Sequence, residues 1–121
     1  MKQVLSAIFL CVALMWSSAA MAEQSQGRQV DAREPQRSYA AIDVILYQTS
    51  WCPYCVKARE FLKSMGVSLI EYDIENDPAK GEEMIAKSGS RNVPVVDIEG
   101  IIIRGYAPDA IRSAIERKRR D

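Results

Sequence analysis

Two cysteines separated by two residues, Cys52-Pro53-Tyr54-Cys55, carry the reactive chemistry of this 121-residue sequence. Thiols at this spacing pass between dithiol and disulfide. The loop such a disulfide closes is tiny, and since the chain-entropy gain grows with loop length, the bond stabilises a fold little and is easily reduced. That favours thiol-disulfide exchange over a structural staple. Histidine is absent, which removes any Cys/His dyad, any imidazole metal ligand and any imidazole proton carrier. A structural zinc site wants four ligands, and no second CxxC supplies them. The alternative to a catalytic dithiol is a metal or iron-sulfur binding module. Two thiolates hold Cu(I), whereas a cluster needs further ligands from external thiols or a second subunit.

The exchange reading requires one sulfur to be a better nucleophile than the other, and the flanking residues supply the asymmetry. The run Ile42-Asp43-Val44-Ile45-Leu46-Tyr47 is nearly all apolar and predicts a strand covered on both faces. A helical pattern begins at Pro53 and ends at Met65, with Gly66 as its stop. Cys52 therefore falls at the helix cap, where free backbone N–H groups and the positive end of the helix dipole favour thiolate over thiol. Pro53 fits the first helical position because its missing N–H would have no partner there. Cys55 lies one turn further in, on the face shared by Ala58, Leu62 and Met65, which makes it the less exposed, resolving thiol. Tyr54 is expected to point outward beside Cys52. Trp51 either shields the sulfurs, offers substrate an apolar surface, or is an ordinary partly buried aromatic. Lys57 either supports the thiolate or is solvated helix surface. Val93-Pro94 directly before a strand is compatible with a cis turn that leaves the Val93 backbone free to pair with an extended substrate.

The remaining elements follow from period and punctuation. Ser68 to Ile74 alternates apolar and polar residues as a second strand. A second helix starts at Asp77-Pro78, buries Met84 and Ile85, and ends at Gly89. Val93 to Ile98 and Ile101 to Arg104, joined at Glu99-Gly100, form a hairpin. Pro108 opens a last helix with Ile111, Ala114 and Ile115 inside. Strand-helix-strand forces a parallel pair through a right-handed crossover, while the two-residue turn makes the last pair antiparallel. The expected domain is an α/β fold with a four-stranded mixed sheet and helices on both faces, covering 42–121.

Ahead of it, Met1-Lys2-Gln3, the apolar run Val4 to Trp16 and the small residues ending Ala20-Met21-Ala22 are laid out as a secretory signal over 1–22. Cys11 would leave with it. The apolar run is short against the ~20 residues needed to span hydrocarbon, so an uncleaved membrane anchor is the lesser alternative. Residues 23–41 are polar and aperiodic, which predicts a flexible leader. The expected location is exported, periplasmic or secreted. Formal net charge is zero from 16 basic and 16 acidic residues, and losing the signal removes only Lys2. Such a balance points away from nucleic acid. The cluster Arg117, Lys118, Arg119 and Arg120 is expected as a solvated, dipole-matched helix end.

The residues resemble the glutaredoxin family across Ile42 to Arg117. The resemblance is carried by Leu46-Tyr47 before the site, Cys52-Pro53-Tyr54-Cys55 followed by Ala58 and Leu62, Arg91-Asn92-Val93-Pro94-Val95, and a glycine turn before the last helix. It implies a thioredoxin-like, glutaredoxin-type fold of order β-α-β-α-β-β-α, with Cys52 as nucleophile, Cys55 as resolver, Pro94 as the cis proline and Val93 pairing with bound peptide or glutathione. No bound cofactor is implied beyond a redox-active Cys52–Cys55 disulfide. The implied partners are a disulfide-containing protein or low-molecular-weight thiol, with a monomer as the working unit. Thr49 stands where many glutaredoxins carry a lysine for the glutathione carboxylate, and Arg104-Gly105-Tyr106-Ala107-Pro108 replaces their Gly-Gly-x-Asp-Asp. The Gly105-Tyr106-x-Pro108 ending is similar to glutaredoxin-like redoxins that take electrons from a protein reductase. Glutathione and a protein reductase are thus the two candidate electron donors.

Overall fold

The apolar run at the start of the domain forms β1 (Asp43–Gln48), in a computed structural model that describes residues 35–121. The expected signal at 1–22 and the leader up to residue 34 lie outside the described residues. From β1 the chain continues through α1 (Pro53–Met65), β2 (Ser68–Asp73), α2 (Pro78–Ser88), β3 (Val95–Ile98), β4 (Ile101–Arg104) and α3 (Pro108–Arg120). The sheet order is β2-β1-β3-β4, with β1 and β2 parallel and the other neighbours antiparallel. This is the mixed sheet that the crossover and the two-residue turn demand.

Period-two alternation along β1 divides the core between the two faces. Val44 and Leu46 pack with Ala58 and Leu62 of α1 and with Ile111, Ala114 and Ile115 of α3. Tyr47 turns the other way, joining Val95 and Met84 of α2. Both α1 and α2 end on a glycine in left-handed conformation, Gly66 at φ 78° and Gly89 at φ 69°, where a Cβ would be strained.

Below Tyr47 lies a polar knot. The Lys87 ammonium donates to the Tyr47 hydroxyl at 2.9 Å and to Asp97 Oδ2 at 2.8 Å, while Asp97 Oδ1 accepts the Gly100 N–H of the hairpin turn at 2.8 Å. These bonds hold the Lys87 ammonium above its usual range. Asp97 is only 7% exposed, and removing its carboxylate takes the acceptor of the Gly100 N–H and leaves Lys87 with the Tyr47 hydroxyl and the more distant Glu83, at 3.5 Å. Asp97→Ala is expected to cost about 2–3 kcal/mol, or roughly 10–20 °C in Tm for a domain of this size, as read by thermal denaturation.

One boundary differs from expectation. Composition assigns 23–41 to a flexible leader, yet the chain is tied to the domain from Arg37 onward. Arg37 forms a bidentate pair with Glu99 at 2.8 and 3.0 Å, and its backbone N–H donates to the Arg119 carbonyl at 2.8 Å. Tyr39 bonds Glu116 through its hydroxyl, and a short 3-10 turn, Tyr39–Ala41, leads into β1. The partners are 62 to 82 residues away in sequence, which is why local pattern did not reveal them.

Candidate active site

The turn between β1 and α1 delivers Cys52 to the helix cap. Cys52 is extended at φ −81° and ψ 114°, Pro53 occupies the first turn, and Cys52 Sγ accepts the Cys55 N–H at 3.3 Å. A sulfur in this role takes a donor that helix geometry leaves free and sits at the positive end of the dipole. Both cysteines are free thiols. Cys52 is 4% exposed and Cys55 fully buried, so both sulfurs lie beneath the surface.

Burial dominates the behaviour of Cys55, whose thiol is pushed up to about 12, with its hydrogen bond to Cys52 acting in the same direction. The proton is then held more tightly in the folded chain than in the unfolded one. The resulting stability is complete below the ordinary thiol range near 8.5 and drains away as pH rises from there towards 12. Two results are expected. Limiting iodoacetamide at pH 7.5, mapped by peptide mass, labels Cys52 with roughly one part in a hundred or less on Cys55. Cys52→Ser, which leaves Cys55 as the reactive-site thiol, loses roughly 5 °C or more of Tm between pH 8 and pH 11 relative to Cys52→Ser/Cys55→Ala.

Cys52 opens onto a groove of about 620 Å³. Trp51 and Tyr54 form one side at 67% and 59% exposure, so Trp51 is not the partly buried aromatic that was one reading of it. Its indole N–H donates to Glu75 Oε1 at 2.7 Å. Val93 lines the same groove, and the Val93–Pro94 bond is cis. Pro94 is fully buried, and its carbonyl accepts the Gly105 N–H at 2.7 Å. Lys57 is not among the groove residues; its ammonium sits over the Tyr54 ring, 5.3 Å from the centroid, on the exposed flank of α1. Thr49 closes the groove at the end of β1, 3% exposed, and its hydroxyl meets no partner among the described residues.

Ile74, Glu75, Arg91 and Asn92 also line the groove and were not picked out from sequence as site residues. Arg91-Asn92 is contiguous with Val93-Pro94, a signal that was available. Glu75 carried none, because it reaches the groove only through the parallel pairing of β2 with β1. Among the described residues no three His, Cys, Asp or Glu side chains cluster as metal ligands. The arrangement brings together a capped, nearly buried sulfur, a second thiol one turn behind it and an adjoining groove.

Comparison with known proteins places this geometry in a family context. Residues 44–103 match the family model described as Glutaredoxin. Glutaredoxin 3 of Escherichia coli K12 is 43% identical over 72 residues, spanning 56% of this chain and 87% of that protein. A glutaredoxin-like 8.6 kDa protein of the rubredoxin operon of Clostridium pasteurianum is 36% identical over 72 residues, spanning 60% of this chain and 96% of its own. Among solved structures, a glutaredoxin of Archaeoglobus fulgidus superposes with a TM-score of 0.57 at 31% identity, covering 62% of this chain and 87% of that one.

Proposed function

The chain belongs to the glutaredoxin family, a family of thiol-disulfide oxidoreductases, and from that premise we propose that it reduces or exchanges disulfides through Cys52 as nucleophile and Cys55 as resolving thiol. The observation that carries the assignment of roles is the helix cap: Cys52 Sγ accepts the Cys55 N–H, while the Cys55 thiol is buried with its proton retained. In the first step the Cys52 thiolate attacks one sulfur of the substrate disulfide, forming a mixed disulfide and expelling the other sulfur as thiolate. In the second, Cys55 gives up its proton and attacks Cys52 Sγ. The Cys52–Cys55 disulfide forms, and the second substrate sulfur leaves as thiol.

The balance is one disulfide reduced and one formed, two electrons in all. A fully reduced chain given excess hydroxyethyl disulfide and no other reductant is therefore expected to release two thiols per chain and to lose two hydrogens in mass. A chain that keeps its reduced mass would overturn the assignment.

The electron donor in this reading is a protein dithiol rather than glutathione. Thr49, neutral and buried, offers no cation where many glutaredoxins present lysine. Tyr106, within the stretch that replaces Gly-Gly-x-Asp-Asp, packs edge-on against Phe61, with ring centroids 6.4 Å apart. Parallel turnover assays with glutathione and with a thioredoxin-type reductase decide between them. The site works outside the cytosol, a reading supported by the layout of residues 1–22. N-terminal sequencing of the exported chain is expected to begin at Glu23.

A further inference from the structure

Period-two alternation carries Val44 and Leu46 of β1 onto the face that meets α1, and Gln48, the last residue of the strand, follows them there. A polar side chain therefore ends an apolar stripe. Glu71 of β2 shares that face, because it stands opposite Leu46 in the parallel register. Arg59 reaches both from α1: its Nε donates to Glu71 Oε1 and its Nη2 to Gln48 Oε1. One guanidinium thus ties the helix to two strands, and the pair is half-buried, with Arg59 and Glu71 side chains 27% and 30% exposed.

The tie lies next to the sulfurs. Arg59 follows Cys55 by four residues, one turn along the same side of α1. Gln48 directly precedes Thr49, and its carbonyl accepts the Ile74 N–H at 3.0 Å, so this strand end is held from β2 as well as from α1. Burial and the neighbouring Cys52 oppose ionisation of Cys55, while the Thr49 backbone N–H and the Arg59 charge favour it. A fully buried thiol that must lose its proton in place depends on such groups.

We propose that Arg59 is a positioning residue for the resolving step, holding the end of β1 against Cys55 through Gln48 and setting its positive charge beside the Cys55 sulfur as that sulfur becomes a thiolate. The inference rests on the dithiol reading above. Arg59 exchanges no proton and forms no bond. The Cys55 proton leaves to solvent, the thiolate attacks Cys52 Sγ, and the substrate sulfur departs with the bonding pair and takes up a proton. Glu71 opposes the effect, because its carboxylate offsets the guanidinium. A brace alone makes both partners of the ion pair equally necessary, whereas a charge effect gives them opposite signs.

That difference is the test. Reduced full-length chain is mixed with excess hydroxyethyl disulfide at pH 7.5 and quenched in acid, and mass spectrometry follows the reduced chain, the Cys52 adduct and the internal disulfide. Arg59→Met is expected to slow conversion of adduct to internal disulfide about threefold or more, with formation of the adduct within about twofold of the parent. Arg59→Lys, which keeps the charge, is expected to restore about half the parent rate or more. Glu71→Gln is expected to speed the conversion about twofold. Unchanged conversion in Arg59→Met overturns the proposal, as does equal slowing of both steps or slower conversion in Glu71→Gln. Should Arg59→Met not fold, Glu71→Gln decides alone, and conversion no faster than the parent's overturns the proposal. A parent chain that stays reduced, or stops at the adduct, overturns instead the dithiol reading on which the proposal stands.

Discussion

Cys52→Ser is expected to lose about a thousandfold or more of disulfide-exchange turnover while its Tm stays within a few degrees of the parent. The substitution is informative because of where the sulfur sits. Cys52 caps α1 by accepting the Cys55 N–H, and serine is among the best cap residues, so the hydroxyl takes over the structural duty. Its oxygen does not ionise near neutral pH and does not exchange with a disulfide. Structure is retained and chemistry removed, so the two contributions of one side chain separate. Turnover of a small disulfide above a tenth of the parent value, measured at equal folded concentration, would place the nucleophile elsewhere.

The second large effect is expected at Cys55. With Cys55→Ser the first attack proceeds but the internal resolution does not, so a protein disulfide substrate accumulates as a covalent adduct on Cys52. Turnover driven by a protein dithiol falls by about a hundredfold or more. The adduct appears as a mass increment removed by strong reductant. Glutathione distinguishes the donors: if it resolves the Cys52 adduct efficiently, the variant keeps its glutathione-driven rate and the choice of a protein donor falls. Serine is again the conservative replacement, but the site is fully buried, and its hydroxyl needs a partner there. A modest loss of Tm is expected from that alone, so the adduct rather than the rate is the decisive readout.

These expectations rest on features that differ in how far local sequence exposes them. The cap position of Cys52 was legible because a strand run, Pro53 at the first helical turn and Gly66 at the stop bracket the helix within some twenty residues. The inward face of Cys55 was legible from helical period, the hairpin from its two-residue turn, and the inner face of the last helix from Ile111, Ala114 and Ile115. Each is a short-range signal, set by backbone preference or by a repeat of side chains along one element.

What sequence determined by itself, then, is the list of elements, their order and the two sulfurs at one helix mouth, because capping, turn chemistry and hydrophobic period act over a few residues. The tertiary structure alone decided what stands around those sulfurs and elsewhere on the surface. It leaves Trp51 exposed and bonded to Glu75, turns Lys57 onto Tyr54 and away from the groove, and docks Arg37 on Glu99. Every one of these is a meeting of residues that share no local repeat. Their proximity is set by the parallel crossover and the sheet register, which form only when the apolar faces of separate elements close on one core.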